Sequence, residues 1–142
     1  MEFIIITNNP KVFNFYKETD EIIFLKEKTI LQVLEETNNY IIKGHKLLSD
    51  PILYNIENSE NPFKTIIISK KPAENNMGSL DMIVGALQIA EKLPKTVSFN
   101  EKEEFLEEFR FVDLNLIINS IKELDWYKKF NSKILIKILK YS

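Results

Sequence analysis

The sequence FIIITNNP, residues 3 to 10, decides the fold. Its three consecutive isoleucines put apolar side chains on both faces of an extended segment, as in a strand covered on two sides. Asn9 can accept a hydrogen bond from the free amides at a helix start. Pro10 fits the first helical position because its missing N–H would have no partner there. The stretch therefore predicts a buried strand that passes directly into a helix.

The same alternation of strand and helix continues along the chain. The apolar patterns and helix-start residues predict a strand at residues 21–25, a helix from Thr29 to Gly44, a strand at residues 65–68 and a helix from Ser79 to Pro94. Because right-handed crossovers place helices on both faces of a parallel sheet, we expect a small three-layer α/β sandwich with a mostly parallel sheet of three or four strands. With 142 residues, the chain has the size of one domain, residues 1–142.

The C-terminal third predicts further helices. A capping-box pattern opens an acidic helix at residues 101–108, whose carboxylates follow the spacing of a solvated face rather than of a metal site. Residues 109–112 fit a strand or a helix, and we favour a strand. Asp113 is an N-cap candidate for the next helix, and a last, basic amphipathic helix is expected from Asp125. These C-terminal helices are a candidate homodimer interface.

The composition excludes several classes of function. The chain has no cysteine and one histidine, which rules out disulfides, thiolate catalysis and a three-histidine zinc site. A formal charge of −2 and a single arginine, Arg110, argue against a nucleic-acid partner. The apolar run near the N-terminus is too short for a signal peptide, and no segment is long enough to span a membrane, so we expect no membrane partner and a cytoplasmic location.

Polar residues follow the predicted strands at one edge of the sheet. In such sheets, ligands bind beyond the carboxyl ends of the strands, near helix starts. The candidate ligand-binding residues there are Thr7, Asn8, Asn9, Ser69, Lys70 and Ser79. They could hold a carboxylate or phosphate weakly, or the polar residues could cap helices while the lysines are solvated. With only three glycines, the chain has neither a GxGxxG motif nor a Walker loop, and we expect no cofactor.

His45 and Lys46 are the other polar candidates. His45 could act as a general base near neutral pH, oriented by a carboxylate such as Asp50. Alternatively, His45 and Lys46 cap the carbonyls at the end of the preceding helix, where cations are favoured.

Three segments of the chain resemble the GrdX family, small proteins encoded among the glycine, sarcosine and betaine reductase genes of anaerobic bacteria. The segments are FIIITNNP (3–10), GHKLL (44–48) and NPFKTIIIS (61–69). The resemblance implies an accessory protein of selenoprotein-dependent amino-acid reduction, and it adds Asn61 to the candidate ligand-binding residues. It assigns no catalytic residue.

Two functional hypotheses follow from these observations. The first is a non-enzymatic accessory or binding protein, whose partner is a small anionic ligand or a protein of the reductase complex. The second is a small enzyme acting on a phosphorylated or carboxylated metabolite, with His45 as acid/base and Lys46 or Lys70 holding the anion. The sequence leaves open whether the protein is an enzyme.

Overall fold

The computed structural model describes residues 2–51, 61–92 and 103–141, with side chains described as far as residue 124. Three strands and four helices lie in this part of the chain. In chain order they are β1 (Phe3–Thr7), α1 (Pro10–Tyr16), β2 (Glu21–Phe24), α2 (Ile30–Ile42), β3 (Thr65–Ser69), α3 (Met77–Ala90) and α4 (Glu103–Tyr141).

Most of the predicted helix boundaries in the first half are confirmed. Asn9 is the N-cap of α1, and its Oδ1 accepts a hydrogen bond of 3.0 Å from the backbone N–H of Lys11. Thr29 caps α2 in a capping box, in which its Oγ1 accepts from the N–H of Gln32 at 3.2 Å and the Gln32 side chain accepts from the N–H of Thr29 at 2.9 Å. Gly44 follows the end of α2 with φ of 107°, a conformation in the left-handed region that favours glycine.

The prediction that Ser79 caps α3 is wrong. The helix begins at Met77 with Asn76 as N-cap, so Ser79 lies inside its first turn. The Ser79 hydroxyl instead accepts a hydrogen bond of 2.9 Å from the backbone N–H of Leu47. Both residues are buried, and an unpaired buried N–H is costly. The Ser79 hydroxyl therefore serves a distant backbone N–H and not the start of its own helix.

The sheet is mixed and not mostly parallel, which corrects the predicted topology. Its strand order is β2-β1-β3; β1 and β2 are parallel, whereas β1 and β3 are antiparallel. In this register Thr7 lies opposite Thr65, and Phe3 lies opposite Ser69. The end of β1 is therefore next to the start of β3.

The segment after α2 explains this orientation. Residues 46–49 run along the free side of β3, where Leu47 bridges Ile68 in antiparallel fashion and the N–H of Leu48 donates to the carbonyl of Ile67 at 2.8 Å. A segment antiparallel to β3 runs in the same direction as β1. Residues 46–49 thus run in the direction that was expected of a third parallel strand. β3, which lies between them and β1, runs in the opposite direction.

Alternating side chains of the sheet contribute to two separate apolar clusters. Ile4, Ile6, Ile66 and Ile68 pack with buried residues of α2 and α3. Ile5 and Ile67 pack with Val12 and Tyr16 of α1 and with Leu114 and Ile117 of α4. The side-chain period of two in a strand explains why neighbouring isoleucines serve different clusters. The finer description as a three-layer sandwich stays a prediction, because the α4 side chains beyond residue 124 lie outside the described part.

The C-terminal third is one helix of 39 residues, which corrects three predictions. Residues 109–112 are helical and not a strand, Asp113 lies inside the helix and is not an N-cap, and no new helix begins at Asp125. Residues 100–102 lie outside the described residues, and so does the predicted capping residue Asn100. None of the helices in the described part of the chain has the length and apolar character that a membrane crossing needs.

Candidate functional site

The candidate residues lie at two opposite ends of the sheet. Four of them lie around the end of β1 and the start of β3, which we call the asparagine end: Thr7, Asn8, Asn9 and Asn61. The other five lie around or close to the start of β1 and the end of β3, which we call the lysine end: His45, Lys46, Ser69, Lys70 and Ser79. The expectation of one shared edge is wrong, because β3 runs antiparallel to β1.

The Asn8 side chain joins two loops at the asparagine end. Its Nδ2 donates to the carbonyls of Lys28 at 2.8 Å and Pro62 at 2.9 Å, and its Oδ1 accepts from the N–H of Lys64 at 2.9 Å. The residue is 1% exposed. Both amide hydrogens are therefore used within the protein, which makes Asn8 a structural connection between the loop after β2 and the segment before β3.

The Asn9 side chain joins the start of α1 to α4. Its Nδ2 donates to the backbone carbonyl of Arg110 and to Oδ2 of Asp113, both at 2.9 Å, while its Oδ1 caps α1. Oδ2 of Asp113 also accepts a hydrogen bond of 2.6 Å from the hydroxyl of Thr65. That hydroxyl lies 2.7 Å from Thr7 Oγ1, which accepts from the N–H of Asn9 at 2.9 Å. The four side chains form one closed, buried hydrogen-bond network.

Burial governs the ionisation of the two charged groups here. Desolvation raises the pKa of Asp113 above its ordinary value, opposed by hydrogen bonds from Thr65 and Asn9 and by the charge of Lys64. Desolvation likewise lowers the pKa of Lys64, opposed by Asp113 and Asp50. The Lys64 ammonium donates to the backbone carbonyl of Asp50 at 3.2 Å. The charges of Lys64 and Asp113 each favour the ionised form of the other group, against the burial that disfavours it.

Asn61 also makes structural hydrogen bonds. Its Nδ2 donates to the carbonyl of Phe109 in α4 at 3.1 Å, and its Oδ1 accepts from the N–H of Phe63 at 2.9 Å. Together with Asn8 and Asn9, it fastens loops and α4 to the end of the sheet. The three candidate asparagines lie at this end of the sheet, and the amide nitrogen of each donates hydrogen bonds within the protein.

The lysine end has a different character, because charged side chains there surround a cavity. The cavity has a volume of about 270 Å³ and is lined by Lys46, Lys70, Lys71, Ser69 and Glu2, among others. Ser69 positions the lysine-bearing segments: its Oγ accepts from the N–H of Lys46 and donates to the carbonyl of Lys71, both at 2.8 Å. Among the described residues, only Lys70 of these three lysines has an ion pair, with Glu21 at 3.7 Å.

His45 is held at the same end by its ring. Its Nδ1 lies 2.7 Å from the carbonyl oxygen of Ser69, and its ring meets that of Tyr40 edge-on at 5.3 Å. A carbonyl only accepts hydrogen bonds, so Nδ1 carries the proton and Nε2 is the basic nitrogen. The backbone N–H of His45, and not its ring, caps the helix by donating to the carbonyl of Tyr40.

Sequence reasoning missed Arg110 as a candidate functional residue. Its guanidinium pairs with Glu103 at 2.6 Å and Glu107 at 3.1 Å, and Glu107 also pairs with Lys11 at 2.5 Å. The signal was present, since the only arginine of the chain follows two glutamates at helical spacing. Residues 2–51, 61–92 and 103–124 contain no group of three or more side chains of the metal-ligating types His, Asp and Glu arranged to hold an ion.

Comparison with known proteins gives one match. The family model described as GrdX-like protein matches residues 4–122. This range covers β1 from its second residue, β2, β3, α1 to α3 and the first half of α4. No curated protein and no solved structure matches the chain.

Proposed function

The chain belongs to the GrdX-like family, and from this premise we propose that it is a non-enzymatic accessory protein of amino-acid reductase metabolism that binds a small anionic ligand at the lysine end. The observation that carries the ligand proposal is the group of three lysines around one cavity, two of which have no ion pair among the described residues. The side chains of Asn8 and Asn9 support this role less, because their amide groups already make hydrogen bonds within the protein.

The charges around the cavity limit the affinity. Lys46, Lys70 and Lys71 provide three positive charges, and Glu2 with the Lys70 partner Glu21 removes two, which leaves one net positive charge. Each exposed charge pair contributes about 0.2 to 1 kcal/mol, whereas a dissociation constant of 1 mM needs about 4 kcal/mol. We therefore expect binding in the millimolar range or weaker, and we expect it to weaken further as salt is added.

The ligand proposal is tested by titrating the ¹⁵N-labelled protein with inorganic phosphate and with acetate at low ionic strength. We expect amide signals of Ser69 and its neighbours to shift in a saturable manner. The double variant Lys46→Ala/Lys71→Ala should bind several-fold more weakly than the wild type. Lys122→Ala and Lys92→Ala, combined as a second double variant, change the net charge equally and should bind like the wild type. Equal losses in both double variants, or no saturable shift, would contradict the proposal.

The metabolic assignment is tested separately. We expect the gene to lie beside genes for reductase subunits, and we expect the tagged protein to bind purified reductase components in a pull-down with a defined set of subunits. Absence of both would remove the link to amino-acid reduction. The ligand titration would stand unaffected, since it does not depend on the pathway.

The enzymatic alternative is favoured by one observation, the orientation of His45. With Nδ1 bonded to the Ser69 carbonyl, Nε2 is the ring nitrogen that could accept a proton. The next residue in the chain, Lys46, lines the cavity and could hold the anionic group of a substrate. An activity on a phosphorylated or carboxylated metabolite that survives His45→Ala unchanged would exclude this role.

A further inference from the structure

A second cavity lies at the asparagine end, outside the hydrogen-bond network. It has a volume of about 510 Å³ and lies between the loop after β1, the loop after β2 and the first turns of α4. This volume is within the range of small-molecule sites, about 300 to 1,000 Å³. β1 and β2 are parallel, so both of their carboxyl ends lead to this cavity. That is the position where ligands bind in open α/β sheets.

The cavity combines apolar walls with one guanidinium. Pro10, Phe63 and Leu106 supply the apolar lining, and Arg110 lies on the same wall with its guanidinium carbon 5.4 Å from the centre of the Phe63 ring. The Arg110 side chain is only 17% exposed. A planar guanidinium in a partly dehydrated site is suited to bind a carboxylate with two parallel hydrogen bonds.

That binding position is taken by a side chain of the protein. Glu103 accepts hydrogen bonds from both terminal nitrogens of the Arg110 guanidinium, which together form its fork. The distances are 2.6 Å to Nη1 and 3.3 Å to Nη2. The Glu103 side chain is 75% exposed and has no other hydrogen-bond partner among the described residues. Arg110 lowers the pKa of Glu103, so its carboxyl group is ionised at neutral pH.

The second carboxylate on Arg110 is more firmly held. Glu107 bonds to both Arg110 and Lys11, and Lys11 belongs to α1. Glu103 is therefore the partner that an incoming carboxylate can replace at least cost, because its removal breaks contacts with Arg110 alone. Lys26, on the loop after β2, adds a second positive charge to the cavity wall, balanced by the neighbouring Glu27.

We propose that this cavity binds a small monocarboxylate with an apolar body, whose carboxylate replaces that of Glu103 on Arg110 while its body contacts Pro10, Phe63 and Leu106. Glu103 occupies the position of the ligand carboxylate in the free protein. The proposal is independent of the lysine end, because it uses different residues at the opposite end of the sheet.

The test is a titration with butyrate, and with butyramide as a neutral compound of the same shape, followed by amide chemical shifts and calorimetry. We expect butyrate to bind saturably with shifts in α4 and the loop after β2, and butyramide to bind at least tenfold more weakly. Glu103→Gln should tighten butyrate binding by about threefold to tenfold, because a neutral amide competes less well for the guanidinium. Glu104→Gln is the matched control, since Glu104 is an exposed neighbour outside the Arg110 contacts, and it should leave the affinity unchanged.

A second variant locates the site. Arg110→Lys keeps the charge but loses the fork, and it should weaken butyrate binding by about tenfold, whereas Lys46→Ala/Lys71→Ala should have no effect on it. Circular dichroism establishes whether the Arg110 variant folds, and the comparison of the two glutamate variants does not depend on it. Equal affinities for Glu103→Gln, Glu104→Gln and the wild type would overturn the proposal, as would butyrate binding that is lost in the lysine double variant.

Discussion

Replacing Asn9 with aspartate tests whether its amide holds α4 against the sheet, because the new side chain has the same shape and differs in charge. The Oδ1 atom keeps its role as cap of α1. The Nδ2 atom, which donates to Asp113 Oδ2 at 2.9 Å and to the carbonyl of Arg110 at 2.9 Å, becomes a carboxylate oxygen. In the variant, a carboxylate oxygen of residue 9 faces two other acceptors, Oδ2 of Asp113 and the carbonyl of Arg110, and no proton donor lies between them. Both carboxylates are buried.

The size of the effect follows from the proton that the pair must hold. Two buried carboxyl groups about 3 Å apart cannot both ionise, so the folded variant binds one proton that the unfolded chain releases. At pH 7, holding a proton on a group with an unfolded pKa of about 3.9 costs about 4 kcal/mol, and at pH 5 it costs about 1.5 kcal/mol. The pKa of the pair is raised in the folded state, so the lost stability returns as the pH falls, by about 1.4 kcal/mol per pH unit.

The assay is urea unfolding followed by circular dichroism at pH 5, 6 and 7, with wild type, Asn9→Asp and Asn9→Ala compared at each pH. Asn9→Ala loses the cap and two hydrogen bonds, one buried and one partly buried, which predicts about 3 kcal/mol at pH 7 and a weaker pH dependence than that of Asn9→Asp. Asn9→Asp should cost more than Asn9→Ala at pH 7 and less at pH 5. A penalty for Asn9→Asp that does not change with pH would refute the contact between Asn9 and Asp113.

Three further predictions address other parts of the fold. Gly44→Ala should destabilise the protein by about 1 to 2 kcal/mol in urea unfolding, because φ is +107° and a new Cβ would lie 3.1 Å from Cβ of Pro72. Gly85→Ala should stabilise it by about 0.5 to 1 kcal/mol, because the site is helical and the new Cβ would meet no atom within 4 Å beyond the chain neighbours and backbone of its own helix. Ser79→Ala leaves the buried N–H of Leu47 without its partner and should cost about 1 to 3 kcal/mol by the same measurement, whereas Ser79→Thr, which keeps the hydroxyl, should cost less. The homodimer predicted through the C-terminal helices should give a dimeric mass in light scattering, and a monomeric mass at high protein concentration would contradict it.

Local signals in the sequence were sufficient where a residue acts on its own neighbours. Three helix boundaries depend on backbone geometry within a few residues. They are the start of α1 at Asn9, the start of α2 at Thr29 and the end of α2 before Gly44. The strands were predictable for the same reason, since β-branched runs leave little alternative. These elements account for the first half of the fold.

The orientation of β3 could not be read from its own sequence. An apolar run of threonine and isoleucines is compatible with either direction, and in the structure residues 46–49 lie antiparallel to β3 at the edge of the sheet. The single predicted rim failed with that orientation, because it assumed that all three strands end on the same side. The lysines and asparagines do follow or flank strand ends, as predicted. They were expected at one shared end of the sheet, and they lie at opposite ends.

Asp113 shows why the C-terminal helix was divided incorrectly. Aspartate favours helix starts because its carboxylate can accept hydrogen bonds from free amides, which makes it a breakpoint in a sequence pattern. Here the donors come from the side chains of Asn9, in another helix, and Thr65, in a strand, so the carboxylate is satisfied inside an unbroken helix. Partners 104 and 48 residues away along the chain leave no local pattern.

The hydrogen-bond network of Asn9 and the cavity at the asparagine end both involve the first turns of α4. The Asn9 side chain donates to the backbone carbonyl of Arg110 at 2.9 Å, so it holds the turn of α4 that carries the guanidinium. The same α4 turns supply Leu106 and Glu103 to the cavity wall. If α4 shifts when the bonds of Asn9 are lost, the fork of Arg110 shifts with it. Asn9 is therefore a positioning residue for the proposed ligand. Asn9→Ala should weaken butyrate binding. Asn9→Ser keeps an N-cap for α1 but lacks the amide that donates to α4, so it should bind butyrate as weakly as Asn9→Ala.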